Sequence, residues 1–300
     1  MLRIVVLLLA VMQLVSPLEA GIWDKIKSTL AKKPMEIAPT LEVLVVHDRP
    51  GVVLEVKGKY KIYDPHTNDH ISTRFIGKRK FIQAQHEGIK WGEDFPGVHQ
   101  LLIVPDEGVV TLVDGTEYRG SIYVYDIGGT ISVVNQVDIE DYLRSVLAPY
   151  AENPLHQETY SAIAIAARTN AYFQMDNPRN PYWAVDASKT NYKGESATKP
   201  DTKLEQAIAS TKYMVMSLDK GVNETETFAN EWLSAADAKA VASPGVLVSK
   251  ITVAQADELA DKDAHAAQIL AKAFPKTTIV LTHSAPQATM KTALPVDDAK

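Results

Sequence analysis

The chain has 300 residues, enough for one large domain or two modest ones, and its 46% hydrophobic and 23% charged residues exclude wholesale disorder. Acidic residues outnumber basic ones 37 to 31, a net charge of −6, which argues against a nucleic-acid partner because phosphate binding needs a basic face. The chain has no cysteine, which excludes disulfides, thiolate metal sites and a cysteine nucleophile.

Met1-Leu2-Arg3 is a short basic start, followed by an apolar run from Ile4 to Met12 that Leu14 and Val15 extend and Pro17 breaks. This is the pattern of a secretory signal cleaved after about Ala20. An uncleaved N-terminal anchor is the competing reading, although the run is short for a bilayer span. Residues 21–40 form a polar lead-in containing a short amphipathic piece, Trp23 to Ala31.

From Leu41 the pattern changes to short apolar runs: Leu41–Val46, Val52–Val56, Lys59–Tyr63, Phe75–Ile76, Leu101–Val104, Val109–Leu112, Ser121–Tyr125 and Ile131–Val134. Turn residues such as Asp48-Arg49-Pro50-Gly51 and Gly128-Gly129 separate them, so a region of about eight antiparallel strands is expected. At Asp138 the period becomes helical. Asp138 is a candidate N-cap, with Glu140 and Asp141 in the first turn of a helix to Leu147. A proline-containing loop, Ala148 to Pro154, leads to a longer helix from Leu155 to Met175. Its alanine-rich centre, Ser161–Ala167, predicts a buried helix approached closely by other backbone. Thr202-x-x-Glu205 predicts a capped helix to about Thr211, Tyr213–Ser217 a strand, and Thr252-x-x-Gln255 a capped helix running to about Ala273. Thr278–Leu281 reads as a last strand, and residues 284–300 as a tail. The fold class expected is α+β, a β-rich N-terminal part with helices around the alanine-rich one.

Several segments resemble the SpoIID/LytB family (stage II sporulation protein D), whose members act on peptidoglycan glycan strands. Tyr118-Arg119-Gly120 resembles its "YRG" strand. Val133-Val134-Asn135, with Glu140-Asp141-Tyr142-Leu143, resembles its asparagine strand and "EdYL" helix. Ala166-Ala167-Arg168-Thr169 resembles the "AART" of its alanine-rich helix, and Val185-Asp186 with Asn191-Tyr192-Lys193-Gly194 resembles its "fDv…qvYxG" segment. A looser likeness runs from Ala254 to Ile279. Together with the residue pattern, the resemblance gives this expected organisation: signal 1–20, lead-in 21–40, β-rich platform 41–117, SpoIID-like domain 118–283, tail 284–300. It also implies an exported, periplasmic or cell-envelope protein with glycan strands, and other cell-wall enzymes, as expected partners. No cofactor and no membrane span in the mature chain are expected.

The family's acid stands in "VVPSEMP", where this chain reads Val146-Leu147-Ala148-Pro149-Tyr150-Ala151-Glu152-Asn153-Pro154. An ungapped alignment puts Tyr150 at the acid's place; a two-residue insertion puts Glu152 there. The implied chemistry is lytic cleavage of a β-1,4 glycan, in which one partly buried carboxylic acid serves as both proton donor and acceptor. Glu152 is the candidate. Arg168 and Thr169 are candidate contacts to the acid or a sugar carboxyl, with an ion pair from Arg168 to Glu140 or Asp141 as the structural alternative. Trp183 and Tyr192 are candidate sugar-stacking rings or core residues, and Tyr150 a further substrate contact. The eight histidines form no ligand set, so no metal is expected. Two main readings stay open: a lytic transglycosylase of wall remodelling or division, and a non-catalytic peptidoglycan-binding module. A structural partner that activates another wall hydrolase is a third.

Overall fold

The computed structural model describes residues 39–152, 154–178, 180–195, 202–218, 226–233 and 245–282. The expected signal, lead-in and C-terminal tail, and the Thr202 side chain of the proposed capping box, lie outside the described residues.

The β-rich region contains β1 (Thr40–Arg49), β2 (Gly51–Val56), β3 (Tyr60–Tyr63), β4 (His70–Arg74), β5 (Lys80–Gln85), β6 (Gly88–Trp91), β7 (Asp94–Pro96), β8 (Gln100–Pro105), β9 (Thr111–Val113), β10 (Thr116–Tyr118), β11 (Ser121–Ile127) and β12 (Thr130–Asp138). Five of these twelve strands lie outside the eight runs expected: β4 (HISTR) and β5 (KFIQAQ) are at least half polar, and β6, β7 and β10 are only three or four residues long and carry glycine, proline or charge. Phe75–Ile76, expected as a strand, is instead an exposed bend between β4 and β5.

Helix α1 (Ile139–Leu147) follows, then α2 (Gln157–Asp176), β13 (Val185–Asp186), α3 (Thr202–Ser210), β14 (Met214–Leu218), β15 (Asn230–Leu233), β16 (Leu247–Thr252), α4 (Val253–Ala260), α5 (Ala266–Ala273) and β17 (Thr277–Leu281). The helix expected from Thr252 to Ala273 is therefore two. Asp263 adopts a positive φ of 63° between them, a conformation that ends a helix. The predicted cap is present: Thr252 Oγ1 accepts from the Gln255 N–H at 3.2 Å, and Gln255 Oε1 accepts from the Thr252 N–H at 2.9 Å.

Seven strands form one sheet in the order β13-β1-β12-β11-β8-β3-β4, and six form a second in the order β10-β9-β2-β5-β6-β7. Strands β11 and β12 are hydrogen-bonded between β1 and β8, so residues on either side of Tyr118 share a sheet. The chain passes between the sheets at Asp48–Gly51, where Asp48 has φ 52°. Inward residues of both sheets, among them Val43, Ile103, Val124 and Val133 from the first and Leu54, Ile82 and Trp91 from the second, join one core. Burial of such aliphatic side chains contributes about 1.5–3 kcal/mol each, before chain entropy is subtracted.

Helix α2 is buried along most of its length. Tyr160, Ile163, Ala164 and Tyr172 face the main core. Ala162, Ile165 and Ala166 face a second core with Met216, Phe228, Ile251, Ile269 and Phe274. A helix covered on both sides cannot show an amphipathic stripe, and small side chains let two layers approach it. Among the described residues no helix is long and apolar enough to cross a membrane.

Candidate functional site

Helix α1 begins where β12 ends. The Asp138 carboxylate accepts from the Glu140 N–H at 2.7 Å and the Asp141 N–H at 3.4 Å, as the sequence predicts. Burial pushes the Asp138 carboxyl above its usual range, the neighbouring Asp141 and Glu140 charges adding to this against the two N–H bonds.

At Leu147 the backbone tightens into a 3-10 turn, Ala148–Glu152, which joins α1 to α2. Tyr150 and Ala151 pack against the main core. The Tyr160 hydroxyl donates to the Tyr150 carbonyl at 3.4 Å, and the Leu155 N–H donates to the same hydroxyl at 3.4 Å. Burial raises the Tyr150 hydroxyl pKa, so it stays a neutral phenol. Asp257 of α4 accepts from the His156 N–H at 2.8 Å and from the Thr159 hydroxyl at 2.7 Å, and His156 Nε2 lies 2.6 Å from Asp261. The turn is thus anchored by α2 beneath it and by α4 at its exit. Glu152 stands at its end, exposed rather than partly buried as the implied chemistry expects.

Three other motif residues, Arg168, Thr169 and Tyr192, are interior. Arg168 is fully buried. Its Nε and Nη2 donate to the two Glu140 carboxylate oxygens at 3.0 and 2.8 Å. Nη1 donates to the Thr211 and Met214 carbonyls at 2.9 and 3.3 Å, and Nη2 to the Ile208 carbonyl at 3.1 Å. One planar fork therefore ties α1, α2 and the C-terminal end of α3, where a cation also suits the helix dipole. The Thr169 hydroxyl donates to the Ile165 carbonyl and accepts from the Met216 N–H, both at 2.8 Å, fixing β14 on α2. Tyr192 is buried; its hydroxyl donates to Asn135, whose amide donates to the Arg119 and Ser121 carbonyls at 2.8 and 3.1 Å. The ring lies 5.3 Å from that of Tyr142, whose hydroxyl burial pushes up to about 12 against a bond from Thr190. Gly120 is required in this knot: its φ is 81°, and a Cβ there would sit 2.1 Å from the Gln136 carbonyl oxygen.

Arg168, Thr169 and Tyr192, expected as substrate contacts, thus turn inward, and the ion-pair alternative for Arg168 is the one found. Sequence reasoning could not see this, because the partners lie 28, 47 and 57 residues away. Trp183 is half-buried on the other face of the seven-stranded sheet. There Tyr123, Tyr182 and Trp183 cover Leu44, Tyr125 and Val134. The rings of Tyr125 and Tyr182 are 4.9 Å apart, and His47 meets Trp183 edge-on at 5.6 Å. The Tyr123–Tyr125 alternation in β11 signals this outward aromatic face. A shallow depression of about 390 Å³, lined by Asp138, Glu140, Asp141, Arg144, Ile208, Ala209 and Lys212, lies at the opposite end of α1 from Glu152. Among the described residues no cluster of histidine and carboxylate groups could hold a metal.

These contacts define an α+β protein in which a strand-rich scaffold presents a capped helix, a carboxylate-bearing turn and an arginine-clamped alanine-rich helix. The profile of the family described as Stage II sporulation protein (SpoIID) matches residues 128–218, the span that contains all three, and the chain belongs to this family. An uncharacterized protein of Chlamydia pneumoniae is 35% identical over 202 residues, covering 66% of this chain and 73% of its own. One from Chlamydia muridarum is 32% identical over 187 residues, 61% of this chain and 65% of its own. A third, from Brachyspira hyodysenteriae, is 28% identical over 163 residues, and the match spans 44% of that longer protein. No solved structure gives a significant match.

Proposed function

We propose that the protein is an exported, cell-envelope lytic transglycosylase on a SpoIID-like fold, acting on peptidoglycan glycan strands with Glu152 as its acid. The placement of Glu152 carries this reading: an exposed carboxyl ends the turn between the two motif-bearing helices, and that turn is held from both sides. Protonated Glu152 gives its proton to the glycosidic oxygen as the C1–O bond breaks. The carboxylate then takes the proton of the muramyl C6 hydroxyl as that oxygen bonds to C1, forming the anhydro sugar. No water is consumed and the carboxyl is regenerated. Half-buried Tyr150, two residues before Glu152 in the same turn, is the remaining candidate contact for a sugar face.

A second reading, peptidoglycan binding without cleavage, is favoured by one observation. Neither the depression beside Asp138 and Arg144 nor the one beside Glu55 and Phe75 includes Glu152. Incubating the purified protein with insoluble peptidoglycan separates the readings. Lytic action gives retention in the pellet and soluble fragments ending in anhydromuramic acid; binding alone gives retention without them. Retention no greater than that of an unrelated acidic protein would overturn both.

A further inference from the structure

We propose that the segment Arg74–Phe81 docks the protein on an anionic lipid bilayer, with its basic side chains at headgroup phosphates and Phe75 and Ile76 in the acyl boundary. The chain carries a net charge of −6, yet from Ile71 to His86 it has Arg74, Lys78, Arg79 and Lys80 and no acidic residue. Arg74 pairs with Glu93, Lys57 with Glu55 and Lys59 with Asp106, whereas Lys78, Arg79 and Lys80 are exposed and have no acidic partner among the described residues.

The apolar groups coincide with these charges. Phe75 is 72% exposed, Ile76 80% and Phe81 50%. Single exposed apolar side chains are ordinary, but three of the five large ones among the described residues fall within this one stretch. Lys59 Nζ lies 5.7 Å from the centre of the Phe75 ring, adding a cation beside the apolar tip.

The bend is also held in place rather than merely projecting. A Cβ on Gly77 would meet the Val56 carbonyl oxygen at 2.1 Å and its nitrogen at 2.8 Å, so glycine alone allows the bend to lie against β2. Residues Glu55–Gly58 and Phe75–Gly77 line a second depression at this place.

A bilayer fits this chemistry better than the alternatives. A soluble polyanion needs the cations but gains nothing from Phe75 and Ile76. A symmetric contact with a second copy would bring two unpaired basic runs together. An anionic leaflet uses both features, since surface cations and buried apolar area add in interfacial binding.

The test is co-sedimentation of the chain from Gly21 on, the form expected after signal cleavage, with sucrose-loaded vesicles of phosphatidylcholine alone or phosphatidylcholine with phosphatidylglycerol. Retention is expected on the anionic vesicles only and should fall with salt. Replacing Lys78, Arg79 and Lys80 together by glutamine or glutamate should lower the partition about a hundredfold. Phe75→Ser with Ile76→Ser should lower it about tenfold while leaving thermal unfolding unchanged, since both side chains are exposed. Equal retention on neutral and anionic vesicles would overturn the proposal. So would full retention by the serine variant, the result expected of a site for soluble polyanions, or a sedimentation profile without vesicles that reports self-association through this bend.

Discussion

Replacing Arg168 tests whether this motif arginine is a structural clamp rather than a sugar contact. In Arg168→Met the Glu140 carboxylate, whose side chain is 15% exposed, loses its counter-ion, and the Ile208, Thr211 and Met214 carbonyls lose a donor. Breaking a buried ion pair from one side costs about 3–5 kcal/mol, and the residual exposure of Glu140 places the expected loss near the lower end, about 3 kcal/mol. Arg168→Lys keeps the charge but not the planar fork, so some of these acceptors go unmatched and about 1.5–3 kcal/mol is lost. Adding Glu140→Gln to Arg168→Met removes the stranded charge and should recover at least about 1 kcal/mol relative to the sum of the single losses. Urea unfolding followed by far-ultraviolet circular dichroism measures each loss, provided the slope with denaturant is unchanged. A loss below about 1 kcal/mol for Arg168→Met, or strict additivity in the double variant, would refute the clamp. So would a stable Arg168→Lys protein that no longer sediments with peptidoglycan.

Two further outcomes follow from the same interior. Tyr192→Phe leaves the Asn135 side-chain oxygen without its buried donor and should cost about 1–3 kcal/mol in urea unfolding; a loss under about 0.5 kcal/mol would mean that water replaces the bond. Asp138 holds its proton to higher pH in the folded than in the unfolded state, chiefly through burial. Its stabilising contribution is therefore complete below the usual carboxylate range and is lost as pH rises through the raised folded value. Asp138→Asn keeps a capping oxygen without the charge, so the stability of the wild type relative to this variant should decline as pH rises above the usual carboxylate range. Urea midpoints across that rise measure it, and a flat difference would contradict the burial argument.

Local signals in the sequence fared best. Asp138 and the Thr252–Gln255 pair announce helix starts through contacts within three residues, and both caps form. The alanine-rich run correctly indicates a helix enclosed on both sides. Asp94–Pro96 and Thr116–Tyr118 are too short and too polar to show a period, and His70–Arg74 and Lys80–Gln85 lack an apolar run, so these strands pass unseen. Phe75–Ile76 misleads because apolar residues suggest burial, while the basic neighbours that keep them at the surface are part of the same run. Spacing alone could not assign the interior roles of Arg168 and Tyr192. A guanidinium fork or a phenol suits a ligand as well as a distant carboxylate or amide, and only the fold brings Glu140 and Asn135 to them.

The central chemical claim is that Glu152, at the end of an anchored turn, moves the proton in glycan cleavage. Mass spectrometry of glycan strands digested by wild-type protein and by Glu152→Gln addresses it most directly, with sedimentation on peptidoglycan measured in parallel. The account predicts anhydromuramyl products from the wild type, none from the glutamine variant, and equal retention of both. The same products in the same yield from Glu152→Gln would contradict it.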